Sequence, residues 1–257
     1  MHDSPRCGTH IRGGMDMAQL IERDISYSAS PELRGMLVAP VDAVAGPGVV
    51  LIHDAFGLGE QMVQTARNLA ELGLSVFLAD VWGERATPAQ DEIGQYIGAM
   101  KQVPGLWQGR IAAAHDAARQ QPEIDPARLA NMGFCFGGSS ALEYLRVAGD
   151  VLATVAVHPG LDLIEYDWSP REARVLVTLG AIDPMATPEQ RAELDRALST
   201  AGVDWELDLY SHTKHGYTSE GARFAPENPV VGFHERNAKR TKDRYEAFFR
   251  EIFPELS

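Results

Sequence analysis

Cys135 lies in the stretch Asn131-Met132-Gly133-Phe134-Cys135-Phe136-Gly137-Gly138, where a short apolar run gives way to a segment of helical character. A thiol held in such a place has the chemistry of a nucleophile. Gly-x-Cys-x-Gly-Gly is the spacing of a sharp strand-to-helix turn that presents a nucleophile, with cysteine where serine is more usual. The flanking glycines answer to geometry, because strand and helix nearly touch and the nucleophile itself takes a strained backbone. Free cysteine is also among the most buried residue types, so the motif alone admits an inert thiol in a glycine-rich turn. A thiol with its free pKa of about 8.5 is only slightly ionised at neutral pH, so a reactive one needs a base. The base in turn needs an orienting acid.

Ligand chemistry in an open α/β sheet gathers at the carboxyl ends of the strands. The polar residues that follow apolar runs are His53 and Asp54 after Val49–Ile52, Asp80 after Ser75–Ala79, and Cys135 itself. Later come His158 after Val157, Asp183 beyond Leu179 and His215 beyond Tyr210. The succession Cys135, Asp183, His215 is the nucleophile, acid, histidine order of the α/β-hydrolase fold. In that reading His215 takes the thiol proton and Asp183 fixes the imidazole tautomer and stabilises the imidazolium. The backbone amides of Phe136, next to the nucleophile, and of Ala55, after the first long apolar strand, would hold the oxyanion formed on attack. Plainer roles compete. Asp183 before Pro184 suits a turn, and His212 competes with His215. Asp80 suits a cap or turn, His53 should face away from Asp54 and pack, and His158-Pro159-Gly160 reads as a turn with a solvated histidine.

The elements that would position these groups are legible as periodicity. Asp24 to Ser28 and Arg34 to Val38, joined by Ser-Pro-Glu, read as an antiparallel edge pair. After Pro40 come short apolar runs of the kind buried on both faces of a parallel sheet: 49–52, 75–79, 129–132, 152–157, 175–179 and 206–210. Helical spacing lies between them, with Met62, Val63, Ala66, Leu69 and Ala70 forming a stripe ended by Gly73. Further helices are expected over Ile111 to Arg119, Ser139 to Val147, Pro188 to Ser199 and Arg236 to Ile252. The alternation predicts an α/β fold, a mostly parallel doubly wound sheet of about eight strands with an antiparallel N-terminal edge and helices on both faces. Gly216 to Pro229 is a long irregular stretch with few apolar anchors, of the kind that is functional or mobile.

Composition bounds the function classes. The 257 residues suit one large domain, expected over 21–257 behind a flexible tail over 1–20. With 23 Lys+Arg against 36 Asp+Glu the formal charge is −13, and no basic stripe points to nucleic acid or anionic lipid. Two cysteines make no disulfide framework, which fits a reducing cytoplasm. The N-terminal residues lack the apolar core of a secretory signal, and no run of about 18 apolar residues suggests a membrane span. A redox role for Cys135 lacks a resolving partner, since Cys7 lies in the tail. Monomer and homodimer remain open.

The residue set as a whole resembles the dienelactone hydrolase family. The likeness is carried by Asp54-Ala55-Phe56-Gly57, Asp80-Val81-Trp82-Gly83, the Gly133-to-Gly138 elbow, Gly180-Ala181-Ile182-Asp183-Pro184 and His215-Gly216-Tyr217-Thr218, and runs from about Ile25 to Phe253. It implies an α/β-hydrolase fold, a Cys135–His215–Asp183 triad, no metal or organic cofactor, and hydrolysis of a small ester or lactone through an acyl-enzyme. It also implies substrate contacts at Phe56, Trp82, Tyr217 and Arg223. Two positions depart from the family pattern. The family typically carries a glutamate at position 54, which contacts the resting thiol and helps deprotonate it; this chain has the shorter Asp54 as its thiol-activating acid. The family enzyme also holds the substrate carboxylate with arginines, one of them four residues after the histidine, where this chain has Ser219, with Arg223 farther along the loop. The alternatives are a thioester or peptide hydrolase using the same triad, and a non-catalytic scaffold that binds a small molecule or a partner.

Overall fold

The computed structural model describes residues 19–147, 149–224 and 227–257. Most of the expected tail, and Cys7 with it, falls outside them, although β1 (Leu20–Ala29) already begins within that segment. β1 pairs antiparallel with β2 (Glu32–Pro40), and β2 antiparallel with β4 (Ser75–Ala79). From β4 the sheet continues in parallel through β3 (Gly46–Ile52), β5 (Ile124–Phe134), β6 (Ala153–Val157), β7 (Arg174–Gly180) and β8 (Asp204–Tyr210). The result is a mostly parallel sheet of eight strands with an antiparallel N-terminal edge, as the alternation of apolar runs and helical stretches predicts; its order is β1-β2-β4-β3-β5-β6-β7-β8.

Strand alternation divides the apolar side chains between two faces. Val50 and Ile52 of β3 join one core and Val49 and Leu51 the other. The first core is closed by α2 (Ile93–Gln102), α3 (Leu106–Arg119), α4 (Phe136–Val147) and α5 (Pro188–Thr200), through residues such as Met100, Ile111, Leu142 and Leu194. The second is closed by α1 (Glu60–Glu71) and α6 (Glu235–Ile252), through Met62, Leu69, Phe248 and Phe249. Helix starts and stops follow local chemistry. α5 opens with a capping box between Thr187 and Gln190 and a proline in its first turn, and α1 gives way to Gly73 at φ +106°.

α2 is not among the helices expected from the sequence, although Ile93, Tyr96, Ile97 and Met100 fall at helical spacing and pack on the first core; Gly94 and Gly98 weaken its helical signal. β5 is longer than its apolar run because Asp125-Pro126-Ala127-Arg128 breaks that run with residues that are exposed or half-buried, yet Ile124 still pairs with Gly46.

The tightest packing is where β5 turns into α4. A Cβ on Gly133 would lie 2.1 Å from the backbone of Gly137, and one on Gly137 would lie 2.2 Å from the Ile52 carbonyl oxygen and 2.5 Å from that of His53. These distances are far inside van der Waals contact, and the opposing atoms are backbone. The end of β3 therefore reaches the start of α4 only because position 137 has no side chain. Gly137→Ala is expected to cost about 3 kcal/mol or more, measured as a drop in urea midpoint, whereas Gly59→Ala, with nothing within 4 Å of its Cβ, serves as the tolerated control.

Candidate active site

Five strand ends converge on one locus. Cys135 follows β5 at φ +53°, the left-handed region that L side chains avoid, as the elbow geometry requires. Its amide donates to the Val157 carbonyl at 3.0 Å and its carbonyl accepts from the Ser139 amide at 3.1 Å. Strand β6 on one side and the first turn of α4 on the other thus fix the strained residue. Because α4 begins at Phe136, the positive end of its dipole lies beside the sulfur.

His215, beyond β8, places Nε2 3.0 Å from Cys135 Sγ. Its Nδ1–H donates to Asp183 Oδ2 at 2.8 Å, and Asp183 Oδ1 accepts from the Met185 amide at 2.8 Å. Asp183 and His215 are almost fully buried. Burial alone would depress the imidazole, but the charge at Cys135 and then the hydrogen bond with Asp183 outweigh it, and His215 is held up to about 10. The histidine is itself anchored through its backbone. Its amide donates to the Val230 carbonyl and its carbonyl accepts from the Gly232 amide, each at 3.1 Å, so the excursion after Thr218 returns to the residue it left. A 3-10 turn, Glu220–Phe224, lies within that excursion.

The two backbone amides proposed for an oxyanion, those of Ala55 and Phe136, donate to no protein acceptor among the described residues. Asp54 lies beside them but its carboxylate Oδ1 accepts from the Phe56 amide at 2.9 Å; it makes no hydrogen bond to Cys135 among the described residues. Burial raises the Asp54 carboxyl to about 6, partly offset by that amide. No group of three or more His, Cys, Asp or Glu among the described residues is placed to hold a metal ion. Nor is any helix of the described residues long and apolar enough to cross a membrane.

Several residues sit elsewhere than the sequence suggests. His158 is no solvated turn residue. It is buried, with φ +37°; its Nδ1 accepts from the Cys135 amide at 3.2 Å, and Nε2 meets Thr218 Oγ1 at 2.8 Å. Burial, and next the neighbouring His215 charge, hold it well below the usual histidine range. It therefore joins the nucleophile turn to the His215 loop as a neutral ring. Its signal was present in the sequence as a histidine at a strand end, the same rule that singles out Cys135.

Of the four expected substrate contacts, Phe56 stands at the surface, 45% exposed. Trp82 is buried and donates from Nε1 to the Ala55 carbonyl at 3.2 Å. Tyr217 is fully buried, its hydroxyl engaged by Thr178 and Thr241, which makes it a core residue and removes it from a substrate surface. Arg223 pairs with Glu220 and lies 3.9 Å over the Phe233 ring, beside a separate cavity of about 440 Å³ that Lys214 and His234 also line. Asp80 is structural, as expected: it accepts from the amides of Arg34, Gly83 and Arg85. His53 is buried among Trp82 and Phe136, in keeping with the packing expected of it.

The sequence profile of the dienelactone hydrolase family matches residues 33–253, nearly the whole chain. The chain belongs to the dienelactone hydrolase family. A crystal structure of a dienelactone hydrolase-like promiscuous phosphotriesterase from metagenomic libraries superposes with a TM-score of 0.82 at 26% identity, covering 93% of this chain and 99% of that one. The dienelactone hydrolase of Anabaena variabilis, at 23% identity and a TM-score of 0.58, covers 80% of this chain and 93% of its own and speaks to the fold alone. Among curated proteins, the protein usf of Aquifex pyrophilus is 20% identical over 213 residues, 79% of this chain and 88% of its own. Family membership makes this dienelactone hydrolase-like chain a hydrolase.

The contact between His215 and Cys135 has a direct readout. At pH 7, below the value at which His215 would lose its proton, alkylation of Cys135 by iodoacetamide is expected to be fast. His215→Ala should slow it by about tenfold or more, as expected for a thiol without an imidazole partner. Equal rates would show that the 3.0 Å contact does not govern the thiol.

Proposed function

We propose that the protein hydrolyses small carboxylic esters or lactones through a thioacyl-enzyme formed on Cys135. The observation that carries this reading is the unbroken line from Cys135 Sγ to His215 Nε2 at 3.0 Å and from His215 Nδ1 to Asp183 Oδ2 at 2.8 Å. In the first half-reaction the thiol proton resides on His215 and the thiolate adds to the substrate carbonyl, forming the S–C bond and an oxyanion. The amides of Ala55 and Phe136 take up that charge. Collapse expels the alkoxide, which leaves with the proton from His215; in a lactone the leaving group stays tethered. In the second half, water gives a proton to His215 and adds to the thioester carbonyl, and collapse returns the acid product and the thiol. Asp183 keeps Nδ1 protonated throughout, so that Nε2 faces the chemistry.

Supporting the reading are family membership, the positive φ of Cys135, the free amides and the helix terminus at the sulfur. The family's usual grip on a substrate carboxylate is missing, because Ser219 replaces the arginine and Arg223 is engaged with Glu220. A neutral ester or lactone therefore suits this pocket better than an anionic one. The similarity to a promiscuous phosphotriesterase makes an aryl phosphotriester a second substrate class to assay, since the same thiolate and oxyanion donors serve phosphoryl attack. The reading places the enzyme in the cytoplasm, without nucleic-acid or membrane partners.

The test is a panel of p-nitrophenyl esters, small lactones, thioesters and an aryl phosphotriester. Cys135→Ala should lower kcat/KM by at least about a thousandfold, and Asp183→Asn by about a hundredfold or more through the wrong tautomer. Wild-type rates in Cys135→Ala would remove the nucleophile, and inactivity of the wild type on every substrate would favour a binding scaffold.

A further inference from the structure

The family resemblance gives Asp54 a task at the thiol, yet the thiol already has its partner in His215 Nε2 at 3.0 Å, and the Asp54 carboxylate is turned to its own loop. Between the two lies Ala55, whose amide serves the oxyanion in the mechanism above. A trans peptide unit is planar, so its N–H points opposite to its C=O. Whatever fixes the Asp54 carbonyl therefore aims the Ala55 amide. That carbonyl accepts from the Gly57 amide at 3.2 Å and from His53 Nδ1–H at 2.6 Å. The His53 tautomer is set by its other nitrogen, since Nε2 accepts from the Val81 amide at 3.0 Å and so leaves the proton on Nδ1.

The next peptide unit is held in the same way. Its carbonyl, on Ala55, accepts from Trp82 Nε1–H at 3.2 Å, and its amide, on Phe56, donates to Asp54 Oδ1 at 2.9 Å. Of the two planes that meet at the Ala55 Cα, the first is thus pinned at its carbonyl, which leaves the Ala55 N–H free, and the second is pinned at both polar ends. The Trp82 ring also stacks on Phe136, with centroids 4.3 Å apart, and Phe136 carries the second amide donor. An aspartate is the side chain suited to this place. It reaches the amide two residues on within one turn, and the longer glutamate lacks that fit.

We propose that Asp54 is a positioning residue for the oxyanion site: its carboxylate clamps the loop that aims the Ala55 amide, in place of withdrawing a proton from Cys135. The proposal rests on Cys135 being the nucleophile. It makes the change from the family's glutamate an exchange of roles, with the loop gaining rigidity and the thiol relying on His215 alone.

Two reactions of Cys135 separate the roles. Hydrolysis of p-nitrophenyl acetate builds an oxyanion; alkylation by iodoacetamide, a displacement at saturated carbon, does not. Asp54→Ala should lower kcat by about ten- to a hundredfold with KM changed less than about twofold, and leave the alkylation rate as in wild type. Asp54→Asn, whose Oδ1 accepts the same amide, should recover most of that kcat. Parallel losses of alkylation in Asp54→Ala and Asp54→Asn would overturn the proposal in favour of an acid acting on the thiol, and an unchanged kcat in Asp54→Ala would overturn it outright. Should Asp54→Ala fail to fold, Trp82→Phe removes the bond to the Ala55 carbonyl while keeping an aromatic ring against Phe136. Lower kcat with unchanged alkylation supports the frame, and wild-type kcat overturns it. Ester hydrolysis by Cys135→Ala would instead sink the underlying nucleophile assignment.

Discussion

Everything at this site depends on how closely the end of β3 can approach the start of α4. The approach is limited by repulsion between backbone atoms, and Gly137 sets the limit: a methyl group there would meet the carbonyl oxygens of Ile52 and His53. The strand end so admitted carries Asp54 and Ala55, and the helix start carries Phe136. The separation of the two amide donors is thus a by-product of sterics in the sheet. Hydrogen bonds then refine what packing has brought together, as packed interiors leave little freedom for anything else.

Much of this architecture is legible in the residues. Val49 to Ile52 alternates between two cores because a parallel strand covered on both faces needs apolar groups on each, and the glycines of the elbow announce a turn that no other residue fits. Cys135, Asp183 and His215 are legible for a related reason: each follows an apolar run, and strand ends are where a sheet exposes polar groups to a shared cleft. What escapes the sequence is how side chains are spent. His158, His53 and His215 are chemically alike, and apart from the Asp54 carbonyl at His53 Nδ1 the partners that occupy their ring nitrogens come from residues tens of positions away. Tyr217 stands two residues from His215 and belongs to the core, because the turn at Gly216, φ +61°, sends it inward. α2 is hard to read because two glycines, Gly94 and Gly98, interrupt its apolar stripe.

The electrostatics follow the same division of labour. Buried histidines normally lose their affinity for a proton, and His53, His115 and His158 all do. His215 moves the other way, because it alone among them sits between a carboxylate and a sulfur. One residue type thus supplies three neutral braces and one charged partner. The difference lies wholly in the two atoms nearest each ring, which a linear sequence does not display.

The backbone bonds that tie His215 to Val230 and Gly232 close the intervening excursion at its base, as a drawstring closes a bag. Length and composition above the knot are then uncoupled from the position of the imidazole. Residues can be traded there, and the loop reshaped, while the imidazole stays where it is. Substrate range and reaction chemistry become separately inheritable traits of one short piece of chain.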